Sequence, residues 1–146
     1  MDYENIEILF IDDNIDDATL ALRALKKGGL TNPIFHVKDG AEALDFMYCK
    51  GNYALRDIQQ HPKLILLDLN MPKISGLEVL EKLKSDPIFK VIPIVILTSS
   101  KEDPDIKRCY ELGANSYIVK PVDNDNFFYT IKELGMFWMV LNQPPK

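Results

Sequence analysis

The sequence has little of what several protein classes require. Its 17 Lys and Arg are outnumbered by 22 Asp and Glu, which leaves a net charge of −5 and no basic cluster. An acidic chain of this kind is poorly suited to binding the phosphates of DNA or RNA. No apolar run approaches the ~18 residues of a membrane span, and the acidic N-terminus differs from a secretion signal. We therefore expect a cytoplasmic protein that binds neither nucleic acid nor membrane.

Cysteine, histidine and early glycines are scarce too. Cys49 and Cys109 have neither CxxC nor metal-type spacing, so we expect reduced thiols rather than a disulfide. His36 and His61 lie far apart, which disfavours a zinc enzyme. A dinucleotide-binding fold needs glycines directly after its first strand, whereas the first glycine here is Gly28. The P-loop and the GxSxG nucleophile elbow are absent as well, which excludes two further common active sites.

Short apolar runs alternate with segments of helical periodicity. The length of 146 residues is close to the ~150 typical of one domain, so we expect a single domain over 1–146 without an output domain. The last helix is expected over about 123–141. Five apolar runs indicate strands, near residues 6–11, 34–37, 64–67, 94–97 and 117–119. This alternation predicts an α/β fold, a doubly wound parallel sheet with helices on both faces.

Polar residues follow these strands, where ligands of such sheets bind. They are Asp12, Asp13, Asp68, Thr98 and Lys120. In the strand order 2-1-3-4-5, strands one and three are neighbours, so the three carboxylates converge and repel one another unless a cation compensates. Mg²⁺, which binds a few carboxylate oxygens and retains waters, fits such a group. A carboxylate beside Mg²⁺, a lysine and a hydroxyl is suited to receiving a phosphoryl group.

Each of these residues alone could be an ordinary turn, capping or surface residue, and only their convergence favours a functional site. Asp16 and Asp17 are interpreted as first-turn acids stabilised by the helix dipole, with Asn14 as N-cap and no role in the site. A phosphatase that forms an aspartyl phosphate is the main alternative function, again with Asp68 as nucleophile. Such phosphatases typically carry a second aspartate two residues later, where this chain has Asn70, which cannot act as a general acid at neutral pH.

Four segments together resemble the receiver domain of two-component response regulators, over roughly 7–134. They are Ile8 to Asn14, Leu66 to Pro72 followed by Gly76, Thr98-Ser99, and Tyr117 to Pro121. The resemblance implies a flavodoxin-like (βα)5 fold of order 2-1-3-4-5. It also implies a signalling protein, rather than an enzyme, that accepts a phosphoryl group from a phosphohistidine on a sensor histidine kinase.

The resemblance implies a role for each matching residue. Asp68 corresponds to the phospho-acceptor, Lys120 to the lysine that contacts the phosphoryl group, and Thr98 to the switch hydroxyl. Tyr117 corresponds to the aromatic switch residue, although a strand tyrosine is otherwise simply core filling. Intact Asp13, Asp68, Thr98 and Lys120 argue against a degenerate receiver that acts only as an interaction module.

The metal ligands are also implied by the resemblance. Asp13, Asp68 and the backbone carbonyl of Asn70 would bind Mg²⁺ directly, and Asp12 would act through a metal-bound water. The Lys120–Pro121 peptide bond is expected to be cis on the same ground.

Two features depart from common receivers. Ser75 stands where many receivers have an acidic residue before Gly76, and a serine can still cap the next helix. The segment 51–62 is longer than usual between the second helix and the third strand. With the aromatic C-terminal tail, this insertion resembles the phytochrome-associated single-domain regulators, which implies a phytochrome-type kinase as a candidate partner.

The apolar pattern of the last helix predicts a protein–protein surface. A stripe at helical spacing is expected to pack on the sheet: Phe127, Ile131, Leu134, Trp138 and Leu141. Further apolar residues lie off this stripe: Phe128, Phe137, Met139 and Val140. Because a surface helix normally has a polar outer face, an exposed apolar patch there indicates an interface. Receivers dimerise through the face of the fourth helix, fifth strand and fifth helix, so we expect a homodimer; the kinase could cover the patch instead.

Overall fold

A parallel sheet organises the chain, of which the computed structural model describes residues 6–27, 33–71, 73–99, 102–120 and 124–141. The strands are β1 (Ile8–Ile11), β2 (Ile34–Val37), β3 (Leu64–Leu67), β4 (Ile94–Thr98) and β5 (Ser116–Val119). All neighbouring strands are parallel, and their order is β2-β1-β3-β4-β5. The predicted fold class and strand order are confirmed.

Helices cover both faces of the sheet. They are α1 (Ile15–Lys27), α2 (Gly40–Tyr48), α3 (Gly76–Lys84), α4 (Asp103–Glu111) and α5 (Asn124–Met136). One core cluster joins α1 and α5 to one face of the sheet, and a second joins α2, α3 and α4 to the other. No helix among the described residues is long and apolar enough to cross a membrane.

The last helix, predicted over about 123–141, departs from regular α-helical geometry at its end. It continues after Met136 as a π-helical segment, Phe137–Leu141. All five residues of this segment are apolar, so their pattern cannot distinguish a helix of 3.6 residues per turn from a wider one.

Side chains of the strands alternate between the two core clusters. In β1, Leu9 and Ile11 contact the cluster of α2, α3 and α4, whereas Ile8 and Phe10 contact that of α1 and α5. Successive strand residues point to opposite faces of a sheet. Because both faces are covered here, both sets are apolar, which explains why uninterrupted apolar runs marked the strands.

The register brings the carboxyl ends of the strands level with one another. Ile11 of β1 pairs with Leu67 of β3, and the N–H of Asp68 donates to the carbonyl of Ile11 at 2.9 Å. Across the sheet, the N–H of Lys120 donates to the carbonyl of Thr98 at 2.7 Å. The residues that follow β1, β3, β4 and β5 therefore share one edge.

The long segment between α2 and β3 is held to the domain by two buried side chains, Tyr53 and Arg56. It opens with a 3-10 turn, Gly51–Tyr53. The buried Tyr53 ring contacts Phe35 and Phe46 edge-on, and its hydroxyl donates to the carboxylate of Glu42 at 2.7 Å. The buried guanidinium of Arg56 lies 3.8 Å over the ring of Phe46 and donates to the carbonyl of that residue. The insertion is thus fixed onto α2 and the edge strand β2.

Candidate functional site

Three carboxylates meet at the carboxyl edge of the sheet, as predicted. Asp12 and Asp13 follow β1, and Asp68 follows β3. Ligand oxygens of the three side chains lie within 4.8 Å of one another. Asp12 and Asp68 are buried, with 1% and 6% of their surface exposed, whereas Asp13 is exposed. The cluster therefore has two carboxylates inside the fold and one open to solvent.

Lys120 extends from the end of β5 into this cluster. Its ammonium donates to Asp12 Oδ2 at 2.8 Å and to Asp17 Oδ2 at 2.9 Å. Asp68 Oδ2 lies farther away, at 4.0 Å. The predicted lysine is therefore at the site, but its closest partners are Asp12 and Asp17 rather than Asp68.

Asp17, to which the sequence assigned no role in the site, contacts Lys120 in the structure. Asn14 does cap α1, since its side-chain oxygen accepts from the Asp17 N–H at 3.0 Å. The Asp17 carboxylate nevertheless turns towards Lys120. The sequence contained a signal for this, because Asp17, Ala21 and Ala24 lie at i, i+4 and i+7 and both alanines are buried. Asp17 is therefore the first residue of the inward face of α1. An acidic residue in a first turn is readily explained by the helix dipole alone, and for this reason the inward position was missed.

Burial and mutual repulsion disfavour the negative charges of the cluster. Burial raises the pKa of Asp68 above its ordinary value, the nearby Asp12 charge raises it further, and Lys120 and Thr98 partly offset this rise. Burial also raises the pKa of Asp12 despite its bond to Lys120. Burial opposes the charge of Lys120, but hydrogen bonds to Asp12 and Asp17 outweigh it and raise the pKa of the lysine. One ammonium does not compensate the carboxylates, so the cluster favours a further cation.

Asn70 and Thr98 border the cluster beside Asp68. The N–H of Asn70 donates to Asp68 Oδ1 at 3.5 Å. Its side-chain amide donates to Thr98 Oγ1 at 3.4 Å, and Thr98 is fully buried. The structure therefore brings together Asp12, Asp13, Asp68, Asn70, Thr98 and Lys120, the complete set of predicted acceptor and metal residues.

Gly76 is required by the close approach of α3 to Asp68. A Cβ atom on Gly76 would lie 2.3 Å from the Asp68 carbonyl oxygen and 2.6 Å from the Leu69 Cα. The hydroxyl of Ser75 accepts from the N–H of Glu78 at 3.3 Å, which confirms that serine caps α3. The amino end of α3 thus holds the backbone of the β3 turn in place.

Tyr117, the predicted aromatic switch residue, is half-buried in β5 and packs against the cluster of α2, α3 and α4. It pairs in register with Ile96 of β4, two residues before Thr98. The structure therefore places Tyr117 near the predicted switch hydroxyl and leaves its switch role a prediction. The Lys120–Pro121 bond lies outside the described residues.

The donor set fits a hard divalent cation. Carboxylate and carbonyl oxygens are the ligands that Mg²⁺, Mn²⁺ and Ca²⁺ prefer, and Asp13 leaves one side of the cluster open. Fold and site together define an α/β protein with a carboxylate cluster suited to a cation, a buried hydroxyl and a lysine at one edge of its sheet.

Comparison with known proteins agrees with this class. The family model of the response regulator receiver domain matches residues 8–132. The chain therefore belongs to the response regulator receiver domain family, whose members are signalling proteins rather than classical enzymes.

Relatives of the chain include regulators of different systems. The probable methanogenesis regulatory protein FilR2 of Methanothrix harundinacea is 36% identical over 140 residues, which are 94% of this chain and 86% of that protein. Response regulator Rcp1 of Synechocystis is 35% identical over 132 residues, which are 90% of this chain and 88% of Rcp1. A structure of Rcp1 with Mn²⁺ bound has a TM-score of 0.88 and 34% identity and covers 95% and 98% of the two chains. The structure of the phosphorylated cyanobacterial phytochrome response regulator RcpA has a TM-score of 0.90 and 37% identity. The match covers 97% of this chain and 99% of RcpA.

Proposed function

We propose that this chain is a single-domain response regulator of the cytoplasm that accepts a phosphoryl group on Asp68 from a phosphohistidine of a sensor histidine kinase. The observation that carries this proposal is the position of Asp68. It is buried within 4.8 Å of two other carboxylates, and the Lys120 ammonium lies 4.0 Å away. A carboxylate flanked by a cation site and an ammonium suits an acceptor of phosphoryl groups.

The metal is proposed to be Mg²⁺, with Asp13, Asp68 and the Asn70 carbonyl as direct ligands and Asp12 acting through water. The charge of the carboxylate cluster and its oxygen donors support this assignment. When bound, the cation would offset the negative charge of the carboxylates and of the incoming phosphoryl oxygens. The Mn²⁺ form of Rcp1 supports a divalent cation.

In the proposed transfer, a carboxylate oxygen of Asp68 attacks the phosphorus atom of the phosphohistidine. The new P–O bond forms as the P–N bond breaks, and the electron pair of that bond stays on the imidazole. Lys120 would donate a hydrogen bond to a phosphoryl oxygen, and the Thr98 hydroxyl would donate to another. The Lys120 nitrogen lies 4.0 Å from Asp68 Oδ2, and the buried Thr98 hydroxyl contacts the side chain of Asn70, two residues after Asp68.

The signal is proposed to travel through Thr98 and Tyr117. Thr98 accepts from the amide of Asn70 at 3.4 Å, and turning its hydroxyl towards a phosphoryl oxygen would change this contact. Phosphorylation would thereby bias a two-state equilibrium of the loop after β4, Tyr117 and α4, and so change which partner binds.

A phosphatase is the less favoured alternative. Its mechanism would need a general acid two residues after Asp68, and the Asn70 amide cannot act as a general acid at neutral pH. That amide instead donates to Thr98. Membership of the receiver family also favours a signalling role.

The kinase is proposed to be of the phytochrome type, on the basis of similarity to Rcp1 and RcpA. FilR2, which is as similar in sequence, is by its name a probable regulator of methanogenesis. A panel of kinases is therefore the appropriate test of the partner.

A homodimer through α4, β5 and α5 is also proposed. The predicted stripe packs on the sheet, with Phe127, Ile131 and Leu134 buried. Phe137 remains half exposed, as do Tyr110 on α4 and, to a greater extent, Tyr129 on α5. The part of α5 beside the edge strand β5 thus presents an apolar groove lined by Ile118, Phe137 and Trp138. Side chains of Val140 and Leu141 lie outside what the structure describes.

Phosphotransfer from candidate histidine kinases tests the main proposal. We expect labelling of the wild type with Mg²⁺, none in excess EDTA, and none in Asp68→Asn with Mg²⁺. Asp16→Asn serves as the matched control, since it removes an exposed acid from α1 and should be labelled like the wild type. Acid-stable labelling, or full labelling of folded Asp68→Asn, would contradict the acceptor assignment.

A further inference from the structure

Lys120 is shared between two carboxylates on different elements. Asp12 follows β1 and is buried, whereas Asp17 lies in the first turn of α1 with 31% of its side chain exposed. Both bonds are short, at 2.8 and 2.9 Å, and the lysine side chain is only 12% exposed. Asp17 is thus the partner that attaches Lys120 to α1, although it belongs to neither the metal group nor the acceptor.

This arrangement competes with the contact that a phosphorylated Asp68 would need. The Lys120 nitrogen lies 4.0 Å from Asp68 Oδ2, beyond hydrogen-bond distance. Any movement of the ammonium towards a phosphoryl oxygen on Asp68 would be resisted by its bond to the carboxylate on α1. Two of its three N–H bonds are already directed at Asp12 and Asp17, so a movement of the nitrogen towards a phosphoryl group would lengthen and weaken these bonds.

We propose that Asp17 is a positioning residue that holds Lys120 away from Asp68 in the unphosphorylated protein and releases it when Asp68 carries a phosphoryl group. The inference rests on the proposed function and adds a residue that the acceptor and metal assignments do not contain. It has two consequences. The ion pair lowers the affinity of the site for a phosphoryl group, and phosphorylation frees a carboxylate on the first turn of α1.

Binding of fluoroberyllate, a phosphoryl analogue, in saturating Mg²⁺ tests the inference by calorimetry. Asp17→Asn should bind it about two- to fivefold more tightly than the wild type, the effect expected of one partly exposed ion pair. Asp16→Asn is the matched control, because it removes the same charge from the same turn of α1 without removing a bond to Lys120. It should bind like the wild type.

Two results would overturn the inference. Unchanged or weaker binding by Asp17→Asn would show that the pair does not restrain Lys120. An equal gain in Asp17→Asn and Asp16→Asn would show a general effect of charge instead.

A second measurement distinguishes failure of the inference from failure of the proposed function. A double-mutant cycle of Asp17→Asn and Lys120→Met, by urea unfolding without metal, reports the resting ion pair directly. Absence of coupling in this cycle overturns the inference even if the wild type is phosphorylated. Coupling in the cycle, with no binding of fluoroberyllate by the wild type, instead contradicts Asp68 as acceptor.

Discussion

Replacing Asp68, the proposed acceptor carboxylate, should stabilise the metal-free protein. Asp68→Asn preserves the shape of the side chain and removes one charge from a cluster whose three carboxylates lie within 4.8 Å of one another. Because burial and the Asp12 charge raise the pKa of Asp68, ionisation of this group costs free energy in the native state. The neutral amide avoids that cost.

The size of the effect follows from the distances. At an effective dielectric constant of about 20, two like charges 4.8 Å apart repel by about 3.5 kcal/mol, and the Lys120 ammonium at 4.0 Å attracts Asp68 by about 4 kcal/mol. Two repulsions exceed one attraction, although solvent screens the exposed Asp13. We therefore expect Asp68→Asn to raise the free energy of unfolding by about 1–3 kcal/mol at pH 7 in EDTA.

Urea unfolding of the wild type and Asp68→Asn across pH measures this effect. Since the pKa of Asp68 is raised above its ordinary 3.8, the native state holds this proton more tightly than the unfolded chain, and wild-type stability falls as the pH rises through that range. The advantage of the variant should therefore shrink on acidification. It should also shrink when Mg²⁺ stabilises the wild type at neutral pH.

Glu81→Gln is the control, because it neutralises an exposed carboxylate of α3 and should change stability by less than about 0.5 kcal/mol. If Asp68→Asn were less stable than the wild type in EDTA at pH 7, attraction to Lys120 would outweigh the repulsion, and the argument for a cation site from charge would be refuted.

Three further variants test other parts of the structure. Gly76→Ala should lose about 1–3 kcal/mol in urea unfolding, because its Cβ would meet the Asp68 carbonyl at 2.3 Å; wild-type stability would contradict this packing. Arg56→Met should lose about 1–3 kcal/mol and expose the segment 51–62 to limited proteolysis, since the guanidinium donates to two backbone carbonyls; unchanged cleavage would show that Arg56 does not fix the insertion. Phe137→Asp should shift the proposed dimer towards monomer in analytical ultracentrifugation, and a wild type that is monomeric at high concentration in both phosphorylation states would exclude the homodimer.

Local patterns in the sequence determined the strands and the composition of the site, whereas the strand order was implied by the resemblance to receiver domains. Apolar runs such as Ile8 to Ile11 are unbroken because both faces of the sheet are covered, and this pattern needs no knowledge of distant residues. Once the strands are parallel, their carboxyl ends must share an edge. The convergence of Asp12, Asp13, Asp68, Thr98 and Lys120 followed from that geometry together with the strand order implied by the receiver family.

Only the tertiary structure decided which groups in the site contact one another. The partner of Lys120 on α1 is 103 residues away in the chain, and its choice depends on how α1 is rotated against the sheet. The same holds for Arg56, whose guanidinium packs on Phe46 because the insertion folds back onto α2. A long side chain can reach several acceptors from one backbone position, and the packing of neighbouring helices selects among them. Sequence periodicity determines which face of a helix is buried, but the ion pair that forms at the end of that face is determined by tertiary packing.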